Sequence, residues 1–216
     1  LSGVRVLVNA GPTYEDIDPV RFIGNRSSGK MGFAIAEAAA SAGAKVTLIA
    51  GPVAQQTPDG VRRIDVRSAR EMHDAVLLAA RDADIFVATA AVADWRPVQT
   101  SAQKIKKRVG APSAIALAEN PDILGDVAAS DPHPFLVGFA AETENVEANA
   151  REKLARKKID MIAANQVGEG LGIDADDNAL HLYWGDGDEA LPRSSKRELA
   201  DALIARVAAR YRKTRG

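Results

Sequence analysis

With 216 residues and 46% apolar content the chain is long enough to bury a substantial core, and a single domain over residues 1–216 is expected. Its 28 basic side chains nearly balance 29 acidic ones, so a net charge of -1 supplies no field to draw it to nucleic acid or an acidic membrane, and any anion site must be local. The absence of cysteine excludes disulfides, zinc-thiolate sites and a thiol nucleophile, and no apolar run reaches the roughly 20 residues that span a bilayer, so a cytoplasmic location is expected.

Taken in chain order, Val4 to Ala10 reads as a short apolar strand, Ser28 to Gly43 as an Ala-rich helix ending in glycine, and Lys45 to Ala50 as the next strand. This is a βαβ opening. A short strand near Arg63 to Val66 precedes a helix announced by the capping box Ser68-x-x-Glu71, and a buried-looking strand follows at Ile85 to Ala90. The alternation continues with a strand around Ala114 to Ala118, a helix opened by Asn120-Pro121, a strand at Phe135 to Phe139, a charged helix from Asn145 to Lys158 and a strand at Asp160 to Ala164. Asn178 to Trp184 and Glu189 to Leu191 flank the turn Gly185-Asp-Gly-Asp188 as a hairpin, and a final helix starts at the capping box Ser195-x-x-Glu198. The expected fold is therefore α/β and Rossmann-like, a mostly parallel sheet wrapped by helices with a C-terminal hairpin and helix extension. Stretches 13–27, 91–112 and 168–177 read as irregular, with a flexible loop over about 95–112.

Several segments carry charge or small residues where ligands approach the sheet. Gly24-Asn-Arg-Ser-Ser-Gly29-Lys30 matches the front of a P-loop, but Met31 replaces the hydroxyl that holds magnesium and the segment lies a long loop beyond the first strand. What survives is that Ser27, Ser28, Gly29 and the following helix start offer several donors to an anion; the same residues read equally as a serine cap with a close-packed glycine. Neither the Gly-x-Gly-x-x-Gly fingerprint nor an acidic ribose ligand is present, which disfavours a nicotinamide cofactor. Thr89-Ala-Ala-Val-Ala-Asp94 leaves a strand where backbone can approach a ligand, and Asp94 could bind a ribose hydroxyl, bind a metal on phosphate, or simply start a turn. Lys104-Ile-Lys-Lys-Arg108 brings a cluster of cations near that strand end, either solvated or able to fold over a triphosphate. Lys153 and Lys157 lie one helical turn apart, on a charged face or around an anion. Phe139 ends a buried strand, as a core residue or a stacking platform.

Taken together these segments resemble the bacterial phosphopantothenate-cysteine ligases, a family also called phosphopantothenoylcysteine synthetases. The resemblance runs in order through Asn9-Ala-Gly-Pro-Thr13, Asp18-Pro-Val-Arg21, Asn25-x-Ser-Ser-Gly-Lys-Met-Gly-Phe33, Ala90-Ala-Val-Ala-Asp94, Lys104-Ile-Lys-Lys107, Asn120-Pro-Asp-Ile123, Val137-Gly-Phe-Ala-Ala-Glu-Thr143 and Asn178-Ala-Leu-His-Leu182. It implies ligation of 4'-phosphopantothenate and L-cysteine in coenzyme A biosynthesis, with CTP as co-substrate, Mg2+ as cofactor and an acyl-cytidylate intermediate. Residue by residue, it implies nucleotide binding by Asp94, Lys104, Pro121, Asp122, Ile123, Leu124, Phe139, Lys153 and Lys157. It further implies that Lys104 serves activation and that Asn25 holds the intermediate, with Ser27, Ser28 and Gly29 at its phosphate; the metal ligands stay open, Asp94 being one candidate. A homodimer, and fusion to an N-terminal flavin-dependent decarboxylase, are implied too, and a chain opening on Leu1 suggests a domain taken from a longer protein. The competing expectations are an NAD(P)-dependent reductase and a non-catalytic nucleotide sensor.

Overall fold

The computed structural model describes residues 1–107, 114–142, 144–166 and 177–215. Part of the expected loop over 95–112 and most of the stretch 168–177 lie outside these residues.

Strand β1 (Arg5–Ala10) is buried along nearly its whole length, because it has strands on both sides and helices on both faces. The chain then makes a ribbon of β2 (Tyr14–Asp16) and β3 (Phe22–Gly24) before entering α1 (Lys30–Ser41) and β4 (Lys45–Ala50), which pairs parallel with β1. Strand β5 (Val61–Asp65), α2 (Ala69–Ala80) and β6 (Ile85–Ala88) extend the sheet. A second ribbon, β7 (Trp95–Pro97) with β8 (Leu117–Glu119), precedes α3 (Ile123–Ala128), β9 (Phe135–Glu142), α4 (Val146–Lys157) and β10 (Met161–Gln166). The antiparallel hairpin β11 (Asp177–Trp184) and β12 (Gly187–Ser195) runs directly into α5 (Lys196–Arg215).

The main sheet has the order β12-β11-β10-β9-β6-β1-β4-β5 and is parallel except where β11 and β12 join it. Side-chain alternation along its strands separates two apolar layers. Val6, Val8, Leu48, Val87 and Val137 face α1 and α5, whose Phe33, Ile35, Leu199, Leu203 and Val207 complete one core. Leu7, Ile49, Phe86, Leu136 and Ile162 face α2, α3 and α4, where Met72, Val76 and Val127 complete the other. Each fully buried side chain of this size contributes about 1.5–3 kcal/mol by leaving water. The expected α/β architecture and its C-terminal extension are present.

Three local expectations change. The strand expected around Ala114 to Ala118 is β8, and it lies in a ribbon rather than in the main sheet; Ile115 and Leu117 are exposed, and β9 occupies the place beside β6. The stretch 13–27 holds β2 and β3, stabilised by Tyr14 stacked on Phe22 at 3.8 Å between ring centroids. Helix α1 is capped by Gly29 at φ 76°, not by a serine side chain; Ser27 Oγ accepts from the Gly29 N–H at 3.3 Å. By contrast both expected serine caps form, Ser68 accepting from Glu71 N–H and Ser195 from Glu198 N–H, but only the second closes into a reciprocal capping box. Glu198 returns a bond to Ser195 N–H, whereas Glu71 reaches Arg67 N–H instead.

Candidate functional site

The order of strands reverses at β1, since the chain first builds the sheet to one side through β4 and β5 and then to the other through β6 and β9, and at such a switch point a crevice opens beyond the carboxyl ends of the strands. Two cavities lie there, of about 560 and 760 Å3, and Ala91, Phe139 and Ala141 line both. The alanines at 91 and 141 leave room at the junction beside Phe139, so a ligand can approach the backbone there.

The first cavity is bounded by Asn25, Ser27, Ser28 and Gly29 on the approach to α1, by Thr89 after β6, by Asn165 on β10 and by Asn178 on β11. Gly32 lets the start of α1 settle against the end of β1, since a Cβ there would come within 2.4 Å of Ala10 Cβ and of Thr89 Oγ1. No side chain caps α1, whose first residues Lys30, Met31 and Gly32 also line this cavity. Asn25 is exposed and donates from Nδ2 to the carbonyls of Ala91 at 2.9 Å and Val92 at 3.2 Å. Two carbonyl partners identify that atom as the nitrogen, leaving Oδ1 as the acceptor that Asn25 offers outward. The segment enters α1 from the ribbon strand β3, not from the main sheet, so the partial P-loop pattern is not a P-loop in three dimensions.

The second cavity gathers Asp94, Pro121, Asp122, Ile123, Leu124, Phe139, Lys153 and Lys157, the whole set expected for a nucleotide apart from Lys104. Asp122 caps α3 by accepting from Gly125 N–H at 3.1 Å and forms an ion pair with Lys157, so one carboxylate ties α3 to α4. Burial pushes the Asp122 carboxyl up, but the hydrogen bonds from Lys157 and Gly125 outweigh it and hold it below the usual range. Lys157 is thus paired with a carboxylate rather than simply sharing a face with Lys153. Burial, and the neighbouring charge of Lys157, lower the Lys153 ammonium from the usual lysine value; its Nζ donates to the Phe139 carbonyl at 2.6 Å. Phe139 is half-buried, packs on the core and lines both cavities.

Lys104 is exposed and lines neither cavity. Its neighbour Ile105 is clipped in place, the N–H donating to Asp18 Oδ2 at 3.1 Å and the carbonyl accepting from Arg21 at 2.9 Å. Asp18 is buried, and the Arg21 guanidinium holds its carboxyl far below the usual range against the opposing effect of burial, with help from the Val20, Ile105 and Arg21 backbone N–H groups. Among the described residues no group of three or more His, Asp or Glu stands close enough to hold a metal ion. Lys196, Asn165 and Arg156 also line the cavities and escaped the sequence analysis. The Ser195 capping box located a helix start at Lys196 but carried no sign that this buried lysine borders the site.

Cations, amide donors and small residues around adjoining cavities suit an elongated phosphorylated ligand. The comparisons agree in direction. Over residues 1–211 the chain matches the family described as the DNA/pantothenate metabolism flavoprotein C-terminal domain. It is similar to the Coenzyme A biosynthesis bifunctional protein CoaBC of Vibrio cholerae, 55% identical over 207 residues, or 94% of this chain and 52% of that protein. The Haemophilus influenzae protein of the same name is 54% identical over 215 residues, 99% of this chain and 54% of that one. The chain thus spans about half the length of the curated relatives it matches. It is also similar to the solved C-terminal domain of CoaBC, with a TM-score of 0.85 and 39% identity over 99% of this chain and 98% of that one. A Cab2 variant solved in complex with phosphopantothenate-cysteine has a TM-score of 0.79 at 16% identity, over 97% and 87% of the two chains, a likeness of fold.

Proposed function

The chain belongs to the family of the DNA/pantothenate metabolism flavoprotein C-terminal domain, and from that premise we propose that it is a CTP-dependent phosphopantothenate-cysteine ligase acting in coenzyme A biosynthesis. The observation that carries this reading is the meeting of the two cavities at Ala91, Phe139 and Ala141, with Asn25 on one side and the Asp94, Lys153 and Lys157 set on the other. An acyl nucleotide needs such a shape, with its reacting bond at the junction.

In the first step a carboxylate oxygen of 4'-phosphopantothenate attacks the α-phosphorus of CTP, and the bond to the leaving pyrophosphate breaks. In the second, the amine nitrogen of L-cysteine attacks the acyl carbon, CMP leaves with the bridging oxygen, and the amine gives up a proton. The cavity around Lys153, Lys157 and the start of α3 holds the nucleotide, Lys104 offsets charge building on pyrophosphate, and Asn25 holds the intermediate for the second step. Mg2+ supplies charge neutralisation on the triphosphate. An exposed single carboxylate, Asp94, with no preformed cage among the described residues, fits a metal that arrives on phosphate and keeps most of its own water.

The same reading gives the chain a flavin-dependent decarboxylase as fused partner, a cytoplasmic location and a homodimeric state. No helix among the described residues is long and apolar enough to cross a membrane. Exposed Val20, Phe22, Trp95, Val98 and Leu117, on and beside the ribbons, support pairing of copies.

The test is pyrophosphate release with CTP, Mg2+ and 4'-phosphopantothenate, with and without cysteine, repeated with ATP. Release that requires phosphopantothenate, with turnover and CMP on adding cysteine, is expected. Silence with every nucleotide, or NADPH binding without CTP binding, sinks the ligase reading.

A further inference from the structure

Strand β6 ends at Ala88, although Thr89 N–H still reaches the Asn9 backbone carbonyl at 3.3 Å and Ala91 bridges Pro12 in parallel, and the following Thr-Ala-Ala-Val-Ala-Asp has small side chains with little capacity to fix its own path. Yet this segment, at the junction of the two cavities, is held by side chains from separate parts of the molecule. Asn9 Oδ1 accepts from the N–H groups of Thr89 at 2.9 Å and Ala90 at 3.1 Å. Thr13 Oγ1 accepts from Ala93 N–H at 2.9 Å. Asn120 donates from Nδ2 to the Ala93 carbonyl at 2.8 Å and from its backbone N–H to the Asp94 carbonyl at 2.8 Å. Asn25 holds the Ala91 and Val92 carbonyls, and Gly11 accepts from Ala91 N–H at 2.9 Å.

Asn9 is the unusual member. It is 2% exposed, on the apolar face of β1 that carries Leu7, and its Nδ2 faces only the weak acceptor Met72 Sδ at 3.7 Å. An amide on that face is costly for stability unless its oxygen is needed. Here that oxygen takes two backbone donors beside the second cavity, which Asn9 itself lines.

We propose that the Thr89–Asp94 backbone is a preorganised platform for nucleotide activation and that Asn9, seconded by Thr13 and Asn120, is its positioning residue. This rests on the ligase reading and adds residues that the reading does not need. The two asparagines have opposite duties: Asn9 serves as an acceptor and Asn25 as a donor. Aspartate therefore substitutes for the first and not for the second.

The experiment measures phosphopantothenate-dependent pyrophosphate release and KM for CTP in the parent, Asn9→Leu, Asn9→Asp and Thr13→Val, with thermal unfolding of each. Asn9→Leu, similar in size but without an acceptor, is expected to lower kcat about 100-fold with KM for CTP within about threefold, since a displacement of about 1 Å at a reacting centre costs that much. Asn9→Asp is expected to stay within about tenfold of the parent, because a carboxylate accepts the same two donors. If Asn9→Leu does not fold, Thr13→Val carries the test, with kcat about tenfold down at unchanged KM. Parent kcat in a folded Asn9→Leu, or in Thr13→Val where Asn9→Leu does not fold, overturns the proposal. Should the parent itself be silent with every nucleotide, the ligase reading fails, and amide exchange then judges the platform alone. Faster exchange at Ala90 in Asn9→Leu, or at Ala93 in Thr13→Val, with the β1 amides unchanged, supports it; parent-like exchange at the amide whose acceptor was removed overturns it.

Discussion

The segment that joins the two cavities and the lysine-bearing segment that lines neither are held in contrasting ways. Thr89–Asp94 is tied at nearly every residue by Asn9, Thr13, Asn25 and Asn120, whereas Lys104–Lys107 is clipped at Ile105 by Asp18 and Arg21, with its lysines exposed. The first arrangement suits a surface that must present the same geometry to every ligand. The second suits charges that must swing toward a triphosphate once it has bound and help exclude water.

The largest expected effect breaks the charge-carrying side. Lys104→Gln should lower pyrophosphate release by about 100- to 1000-fold, the usual cost of removing one charge-stabilising group, with little change in thermal stability. A parent rate in a coupled pyrophosphate assay would remove Lys104 from the mechanism. Next comes the tied side: Asn25→Asp turns an acceptor toward the Ala91 and Val92 carbonyls and should slow product formation about 100-fold while some pyrophosphate release persists. Chasing accumulated acyl-nucleotide with cysteine measures it.

Asp122→Ala tests the tie between α3 and α4 and removes both a helix cap and the partner of Lys157. A loss of about 1–2 kcal/mol in denaturant unfolding is expected, most of it from the cap. Asp122→Asn, which keeps the cap, should recover most of that stability while still weakening CTP binding. The smallest effect concerns the clip. The Asp18 carboxyl lies far below its ordinary value of 3.8, so its stabilising contribution is fully present above about pH 3.8 and fades as the pH falls further. Unfolding measured from pH 5 downward should be less steep in pH for Asp18→Asn than for the parent; equal slopes would show that the clip contributes nothing to stability.

The legible parts of the sequence were those with local redundancy. Apolar runs such as Val6-Leu7-Val8 and Ile85-Phe86-Val87 announce buried strands, and Ser68/Glu71 and Ser195/Glu198 announce helix starts, because those signals depend on neighbours along the chain. The ribbons were not legible as ribbons: each strand spans three residues, too few for an alternation to show, and although a strand was expected near β8 nothing local said that it pairs with β7 outside the main sheet. In the site, the nucleotide set was collected by resemblance, and the second cavity does bring it together apart from Lys104. The pairing of Lys157 with Asp122 was out of reach, since 35 residues separate them and only the packing of α4 beside α3 makes them neighbours. Asn9 and Thr13 lay inside a recognised motif, yet a sequence cannot say that their oxygens meet amides some 80 residues away.

The main sheet ends at β5 on one side and β12 on the other. Edge strands ordinarily invite another chain to continue the ladder, but β5 carries Arg62, Arg63 and Asp65, and β12 carries Pro192 beside Arg193. Charge repels a newcomer at the first edge, and a missing N–H interrupts it at the second. Copies of this protein are thereby steered away from stacking into an open-ended fibre, so that association between them is left to a closed contact between side-chain surfaces.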